Sequence, residues 1–260
     1  MCTLIVLHRC DPEQPLLVAA NRDEYLDRPS AGPALRSAGP RRAVAPRDLR
    51  AGGTWLGLNE AGVFAGLTNR PAPRDDTRLS RGRLVMDVLA SGSAEEAARR
   101  LERVAANVYN PFNCLVADGR DAFAVVYEDK PAVTEMAPGV HVIGNADPDD
   151  ANEPKVARLL ERAGAAAEKA PARRLDALAE LCRSHEGPGG PLGPPCVHAG
   201  GYGTRSSTLL HLDRAPARSR LLHSDGPPCE TAYEDHTALL RELSGGLAAG
   251  AAGHDARRER

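Results

Sequence analysis

Runs and alternations of apolar residues divide the chain into blocks before any single residue needs a role. Thr3 to Leu7 form a β-branched apolar run, and Leu16 to Ala20 form a second one after the turn signal Asp11-Pro12-Glu13-Gln14-Pro15, which together predict an N-terminal hairpin. Trp55 to Leu58 and Val63 to Thr68 flank Asn59-Glu60-Ala61-Gly62 and predict another. Between the two, residues 29 to 53 carry Pro, Gly and Arg with little periodicity, the pattern of a long excursion over the surface. From Arg81 the spacing turns helical through Leu84, Val85, Val88 and Leu89, and Ser93 with Glu96 forms a capping box ahead of a second helix to about Ala106. Cys114 to Asp118, Phe123 to Glu128 and Val140 to Ile143 return to strand character. Two helices, Lys155 to Ala163 and Pro171 to Arg183, precede a mobile Gly/Pro loop at 187 to 195, after which come strands at Thr208 to Asp213 and Arg220 to His223 and a helix over Tyr233 to Leu243.

Strands, two helices, strands, two helices and strands predict α+β packing of two antiparallel sheets with two helical pairs, not a βαβ alternation. Residues 1–243 read as a single domain and residues 244–260 as a disordered tail. No repeat and no phosphate-cradling glycine loop is present, so nucleotide chemistry is not indicated.

Composition narrows the function classes further. The 33 basic and 35 acidic side chains alternate, and a formal net charge of −2 supplies no field for nucleic acid. No apolar run approaches the roughly 20 residues needed to cross a bilayer, and Thr3 to Leu7 is too short for a signal-peptide core, so a cytoplasmic protein with no membrane span is expected. The six cysteines, at 2, 10, 114, 182, 196 and 229, include no Cys-x-x-Cys pair, and no histidine doublet has metal-ligand spacing; neither a zinc site nor a disulfide framework is indicated, and no metal or cofactor is expected.

Candidate chemistry concentrates at the start of the chain. Excision of Met1 would leave Cys2 with both a thiol and a free α-amine, and such an amine, with a reference pKa of about 7.7 to 8.0, accepts a proton near neutrality. Asn21-Arg22-Asp23-Glu24 stands directly after the second strand: Asp23 can hold the α-ammonium and Arg22 can bind a carboxylate or lower a thiol pKa, or these charges are a solvated strand end. Gly52-Gly53-Thr54-Trp55-Leu56-Gly57 allows close backbone approach. Asn69 and Asn145, each just past a strand, can donate to an oxyanion or serve as ordinary turn residues. Arg205, ahead of a strand, can clamp an anion or lie exposed in a turn.

Met1-Cys2-Thr3, Asn21-Arg22-Asp23-Glu24, Gly52 to Gly57, Leu67-Thr68-Asn69, Ser80-Arg81-Gly82 and Tyr202 to Thr208 together resemble the NRDE family, which includes the transport and Golgi organisation protein 2 homologues. The matches are in order and span about residues 1 to 213. The resemblance implies an N-terminal nucleophile (Ntn) hydrolase-like fold, a four-layer αββα sandwich with two antiparallel sheets. More distantly, Cys2, the Asn-x-Asp of Asn21 to Asp23, and Asn59 to Gly62 leading into Ala65-Gly66-Leu67 are similar to the penicillin V acylase and bile salt hydrolase branch, which cleaves amides with an N-terminal cysteine. That likeness implies Cys2 as nucleophile, Asp23 at its amine, Asn69 and Asn145 as oxyanion donors and Arg205 as an electrostatic stabiliser, with Asn21, Arg22, Trp55 and Thr68 at the substrate. The hydrolase branch carries an arginine immediately before its Asn-x-Asp, where this chain has Ala20. The shift to Arg22 is expected to turn the guanidinium to the opposite face of the strand.

Two functions follow. One is an enzyme in which Cys2 attacks a carbonyl and water or an amine completes the turnover of a small-molecule amide or acyl compound. The other is a non-catalytic carrier, since the family resemblance implies haem trafficking and acyl-lipid or acyl-CoA handling. None of the eight histidines lies in a haem-attachment motif. Substrate identity and oligomeric state stay open, because the loops at 29–53, 70–80 and 187–201 that would line a cleft carry no motif.

Overall fold

Pairing begins with the first apolar run. In the computed structural model, which describes residues 2–188 and 190–245, β1 (Cys2–His8) is buried throughout its length and pairs antiparallel with β2 (Leu16–Tyr25), setting Cys2 opposite Arg22 and Val6 opposite Val18. β3 (Ser30–Ala38), β4 (Arg41–Asp48), β5 (Leu56–Asn59) and β6 (Phe64–Asn69) follow. Then come α1 (Arg81–Val88) and α2 (Ala94–Glu102). The Ser93 hydroxyl accepts from the Glu96 amide at 3.1 Å, capping α2 as its sequence predicts, while the Glu96 carboxylate reaches back to the Gly92 amide. The chain continues through β7 (Phe112–Ala117), β8 (Ala122–Tyr127), β9 (Pro131–Glu135) and β10 (Gly139–Ile143), then α3 (Pro154–Ala167) and α4 (Pro171–Arg183), each opened by a proline whose missing N–H costs nothing there. β11 (His198–Ala199), β12 (Tyr202–Leu212), β13 (Arg220–Ser224) and β14 (Glu234–Asp235) complete the strands, and residues 237–245 are helical.

Two antiparallel sheets result. One runs β10-β1-β2-β12-β13-β14 with β11 on the end of β12; the other is a meander from β3 to β9 with α1 and α2 inserted between β6 and β7. Side-chain alternation assigns the layers. Leu4, Val6, Val18, Ala20 and Leu210 pack between the sheets against Leu56, Leu58, Phe64 and Leu115. Ile5, Leu7, Leu17, Ala19 and Leu209 face α3 and α4 through Val156, Leu159, Leu175 and Leu178. The outer face of the meander packs on α1 and α2 through Leu84, Val85, Val88 and Leu101. This is the α+β, four-layer αββα arrangement, and it explains why β1 shows no polar alternation: both of its faces are covered.

Some expectations need correction. Residues 29–53 are no surface excursion but hold the β3–β4 hairpin, in which Ala34 pairs with Ala45 and Arg36 with Ala43. Alanine and arginine hid the period, because small side chains give almost no hydrophobic contrast. Asn21 to Glu24 lie within β2, not after it, and β12 begins at Tyr202 instead of Thr208. The terminal helix starts at 237, with β14 occupying the predicted first turn. Of the expected disordered tail, residues 244 and 245 are helical and residues 246–260 lie outside the described residues. No helix among the described residues is long and apolar enough to cross a membrane.

Candidate active site

The site forms where the inner face of β1 and β2 runs out of apolar side chains. Cys2 and Arg22, paired across the strands, follow Leu4 and Ala20 on the face toward the second sheet, and there they border a cavity of about 470 Å³ lined also by Asp48, Trp55, Asn69 and Arg81. Ala20 and Arg22 are two positions apart and so share a face, which corrects the expectation that the displaced arginine would point away. Cys2 as a residue is 8% exposed, and its thiol is buried. Burial pushes it up, whereas the Asp23 backbone amide, which donates to it, and the Arg22 charge pull the other way.

Arg22 is held as a rigid plane. Its guanidinium carbon lies 4.3 Å from the Trp55 ring centre, and its Nη2 donates to Asp48 Oδ2 at 3.1 Å. Arg28 Nε donates to the same oxygen at 2.7 Å, and Asp48 Oδ1 accepts from the Arg50 and Ala51 amides. Burial raises the Asp48 carboxyl, but the bonds from Arg28 and Ala51 outweigh it and keep the group ionised below the usual carboxylate range. Burial also lowers the Arg22 pKa, and the charges of Cys2, Glu24 and Asp48 oppose that fall.

A second cation, Arg81, reaches the site through contact between two glycine motifs. Thr54 donates its amide to the Gly82 carbonyl at 3.0 Å, and a Cβ built on Gly53 would lie 2.2 Å from the Gly82 carbonyl carbon, so only glycine permits this approach. The N-terminus of α1 is thereby seated against the β4–β5 connection, and Arg81 Nη1 donates to the Pro111 carbonyl at 2.9 Å. Burial lowers the Arg81 pKa, and Cys2 is the first of the charges that oppose this. Sequence reasoning did not assign Arg81 to the site; the signal was the Ser80-Arg81-Gly82 motif, where a Cβ on Gly82 would lie 3.0 Å from the Thr54 carbonyl oxygen.

Asp23 turns to the helical side, where Oδ1 accepts from Thr204 Oγ1 at 2.7 Å. Burial pushes its carboxyl up to about 6, opposed first by Lys155 and then by the Thr204 bond. Lys155 Nζ is buried with no hydrogen-bond partner among the described residues, and burial lowers its pKa against the pull of Asp23. Asn21 does not line the cavity: its amide donates to the Cys182 and Pro195 carbonyls, both at 2.9 Å, and its oxygen accepts from Ser207 Oγ at 2.6 Å.

The remaining candidates separate. Asn69 lines the Cys2 cavity, whereas Asn145 borders the neighbouring cavity beside Thr3 and Lys155 and donates its side-chain amide to the Asn69 carbonyl, positioning that residue. Thr68 is buried and donates to the Gly144 carbonyl at 2.5 Å, which ties β6 to the end of β10. Arg205 sits at the irregularity between Thr204 and Ser206 and pairs with Asp225 at 2.8 Å, away from the residues lining the Cys2 cavity. Among the described residues, neither histidine nor methionine lines that cavity. Elsewhere, Cys196 and Cys229, whose spacing indicates neither a zinc site nor a disulfide framework, stand together with His185 and His198.

Comparison with known proteins bears on the whole arrangement. The family model described as Transport and Golgi organisation 2 matches residues 1–220. The Transport and Golgi organization protein 2 homolog of Bos taurus is 33% identical over 144 residues, and that of Homo sapiens 30% over 140 residues; each match spans half of this chain and half of the relative's length. Among solved structures, penicillin V acylase from Agrobacterium tumefaciens superposes with a TM-score of 0.59 at 20% identity over 92% of this chain and 88% of that one. The N-acylethanolamine-hydrolyzing acid amidase ortholog of Caenorhabditis elegans gives 0.56 at 12% identity over 81% and 92%. A mutant conjugated bile acid hydrolase from Clostridium perfringens gives 0.59 at 12% identity over 94% of each chain. At these identities the likeness establishes the fold, that of the Ntn hydrolases.

Proposed function

The chain belongs to the Transport and Golgi organisation 2 family, and from that premise we propose that it is a cysteine-dependent amidohydrolase whose nucleophile is Cys2 after removal of Met1, a residue outside the described ones. One observation carries the reading: the Cys2 thiol heads a fully buried strand and faces a cavity flanked by the fixed cations Arg22 and Arg81. In the proposed cycle the freed α-amine takes the thiol proton and sulfur bonds to the amide carbon. The oxyanion is met by the Asn69 amide. Collapse breaks the C–N bond as the α-ammonium returns its proton to the leaving nitrogen, and water then hydrolyses the thioester to regenerate the thiol. Asp23 holds the ammonium and Asn145 positions Asn69.

The likeness to amide-cleaving structures supports a small-molecule acyl amide as substrate class. Carriage of haem or an acyl chain would use the same cavity without using the thiol. Intact mass and peptide mapping after brief treatment with a mild thiol electrophile near neutral pH test the proposal. Expected are loss of Met1 and labelling of Cys2 far faster than of Cys114 and Cys182, whose thiols burial pushes up to about 12. Retention of Met1, or labelling of Cys2 no faster than a free thiol, would overturn it.

Asp23 gives a pH prediction. Its folded-state value of about 6 lies above the ordinary 3.8, so its contribution to stability is greatest below the lower value and declines as pH rises through the higher one. Activity runs the opposite way, because only the carboxylate holds the ammonium. The kcat/KM profile is expected to fall more steeply below about pH 6, where Asp23 protonates in addition to the α-amine, and Asp23→Asn to lower the plateau and remove that extra steepness. An unchanged acid limb in the variant would assign it to another group.

A further inference from the structure

At the end of β12 that pairs with β11, three separate segments bring metal-ligating side chains together. His185 follows α4, Cys196 and His198 stand two residues apart at the start of β11, and Cys229 comes from the segment after β13. Their ligand atoms all lie within 4.8 Å of one another. Cys229 Sγ is 3.4 Å from Cys196 Sγ and 3.2 Å from His198 Nε2, and Cys196 Sγ is 3.8 Å from that nitrogen. The His185 and His198 ring centres are 5.1 Å apart.

These separations fit the edges of a metal tetrahedron. With bonds of about 2.3 Å to sulfur and about 2.0 to 2.1 Å to nitrogen, tetrahedral zinc places sulfurs about 3.8 Å apart and sulfur about 3.5 Å from nitrogen. The sulfur pair is far beyond a disulfide length of about 2.0 Å, and both cysteines are free. His198 offers Nε2 to the cluster, and its other ring nitrogen faces the Glu230 carboxylate at 3.9 Å, beyond hydrogen-bond length.

We propose that His185, Cys196, His198 and Cys229 bind one zinc ion as a closed, structural Cys₂His₂ centre. Four protein ligands leave no open position for substrate, and two thiolates with two imidazoles select a borderline-soft ion such as zinc over magnesium or calcium. The centre has a defined mechanical task. Among its described residues, the segment from 184 to 201 contains only a 3₁₀ turn at Gly190–Leu192 and the two residues of β11. Its backbone nevertheless carries the supports of Asp23 and Asn21: the Val197 amide donates to Thr204 Oγ1, which donates to Asp23, and the Pro195 carbonyl accepts from Asn21. A metal at Cys196 and His198 would fasten that segment to α4 and to Cys229. Sequence spacing concealed the set, since Cys196 and Cys229 are 33 residues apart with no Cys-x-x-Cys pair.

The full chain, produced without a histidine tag in zinc-supplemented medium and purified under reducing conditions, is expected to carry about one zinc per molecule by elemental mass spectrometry. Cys229→Ser is expected to lower that content at least about ten-fold, and His185→Gln, at an exposed position, to lower it with the fold intact. Cobalt replacing zinc in the unmutated chain should give a thiolate-to-cobalt charge-transfer band and intense visible bands of a tetrahedral site, a readout that holds if Cys229→Ser fails to fold. Less than about a tenth of a zinc per chain together with no cobalt bands would overturn the proposal. So would a Cys196–Cys229 crosslink in the reduced preparation, seen as a mass lighter by two hydrogens.

Discussion

Cys2→Ala is expected to reduce amide turnover by at least about 10³-fold in kcat, because it removes the atom that forms the covalent intermediate and no other thiol among the described residues lines the cavity. The fold should survive: alanine retains Cβ at a position that faces open space on one side, and the change in unfolding free energy is expected to stay within about 1.5 kcal/mol. Matched circular dichroism and melting curves, with turnover measured on a panel of N-acyl amides, make the comparison. Cys2→Ser keeps a weaker nucleophile and should fall between the two. Turnover by Cys2→Ala at the unmutated rate would remove the thiol from the mechanism. A carrier makes the contrary prediction, with ligand affinity unchanged in Cys2→Ala and no turnover in either protein.

The parts of this molecule legible in the sequence are those where burial and local geometry coincide. The continuous apolar runs of β1 and the first half of β2 announce strands covered on both faces, and Pro171 marks the start of α4 to the residue. Legibility fails where small or charged residues occupy structured positions. The β3–β4 hairpin pairs alanine and arginine, so its period carries no contrast, and the polar half of β2 looks like a strand end because Arg22 and Asp23 are paid for by partners far away in sequence: Asp48 is 26 residues off and Thr204 is 181. Site residues divide in the same way. Cys2 is suggested by its position and Asp23 by its motif, but whether Asn145 meets the substrate or the Asn69 carbonyl depends on the spacing of two strand ends that belong to different sheets. Arg205 shows the limit most plainly, since one irregularity in β12 decides which way its side chain turns and Asp225 is there to receive it.

Gly53→Ala is expected to destabilise the protein by about 3 kcal/mol or more and to remove activity with it. The added Cβ would meet the Gly82 carbonyl carbon at 2.2 Å, its oxygen at 2.5 Å and the Arg83 nitrogen at 2.6 Å, and all three are backbone atoms, so no side chain can rotate aside. Relief requires the β4–β5 connection and the first turn of α1 to separate. That movement breaks the Thr54 amide bond to Gly82 and strains the bond from the Asp48 amide to the Gly53 carbonyl. It also carries away Arg81 on one side and the carboxylate that holds Arg22 on the other, so both cations beside Cys2 lose their positions together. Gly164→Ala is the control: Gly164 lies inside α3 with open space where its Cβ would go, and the substitution should stabilise by about 0.5 to 1 kcal/mol through helix propensity alone. Denaturant unfolding of the two variants beside the unmutated chain measures the difference, and electrophile labelling of Cys2 in whatever fraction of Gly53→Ala remains folded reads the loss of the cations directly. A Gly53→Ala protein with unmutated stability and unmutated Cys2 reactivity would show that the two glycine motifs do not form the contact on which the placement of Arg81 depends.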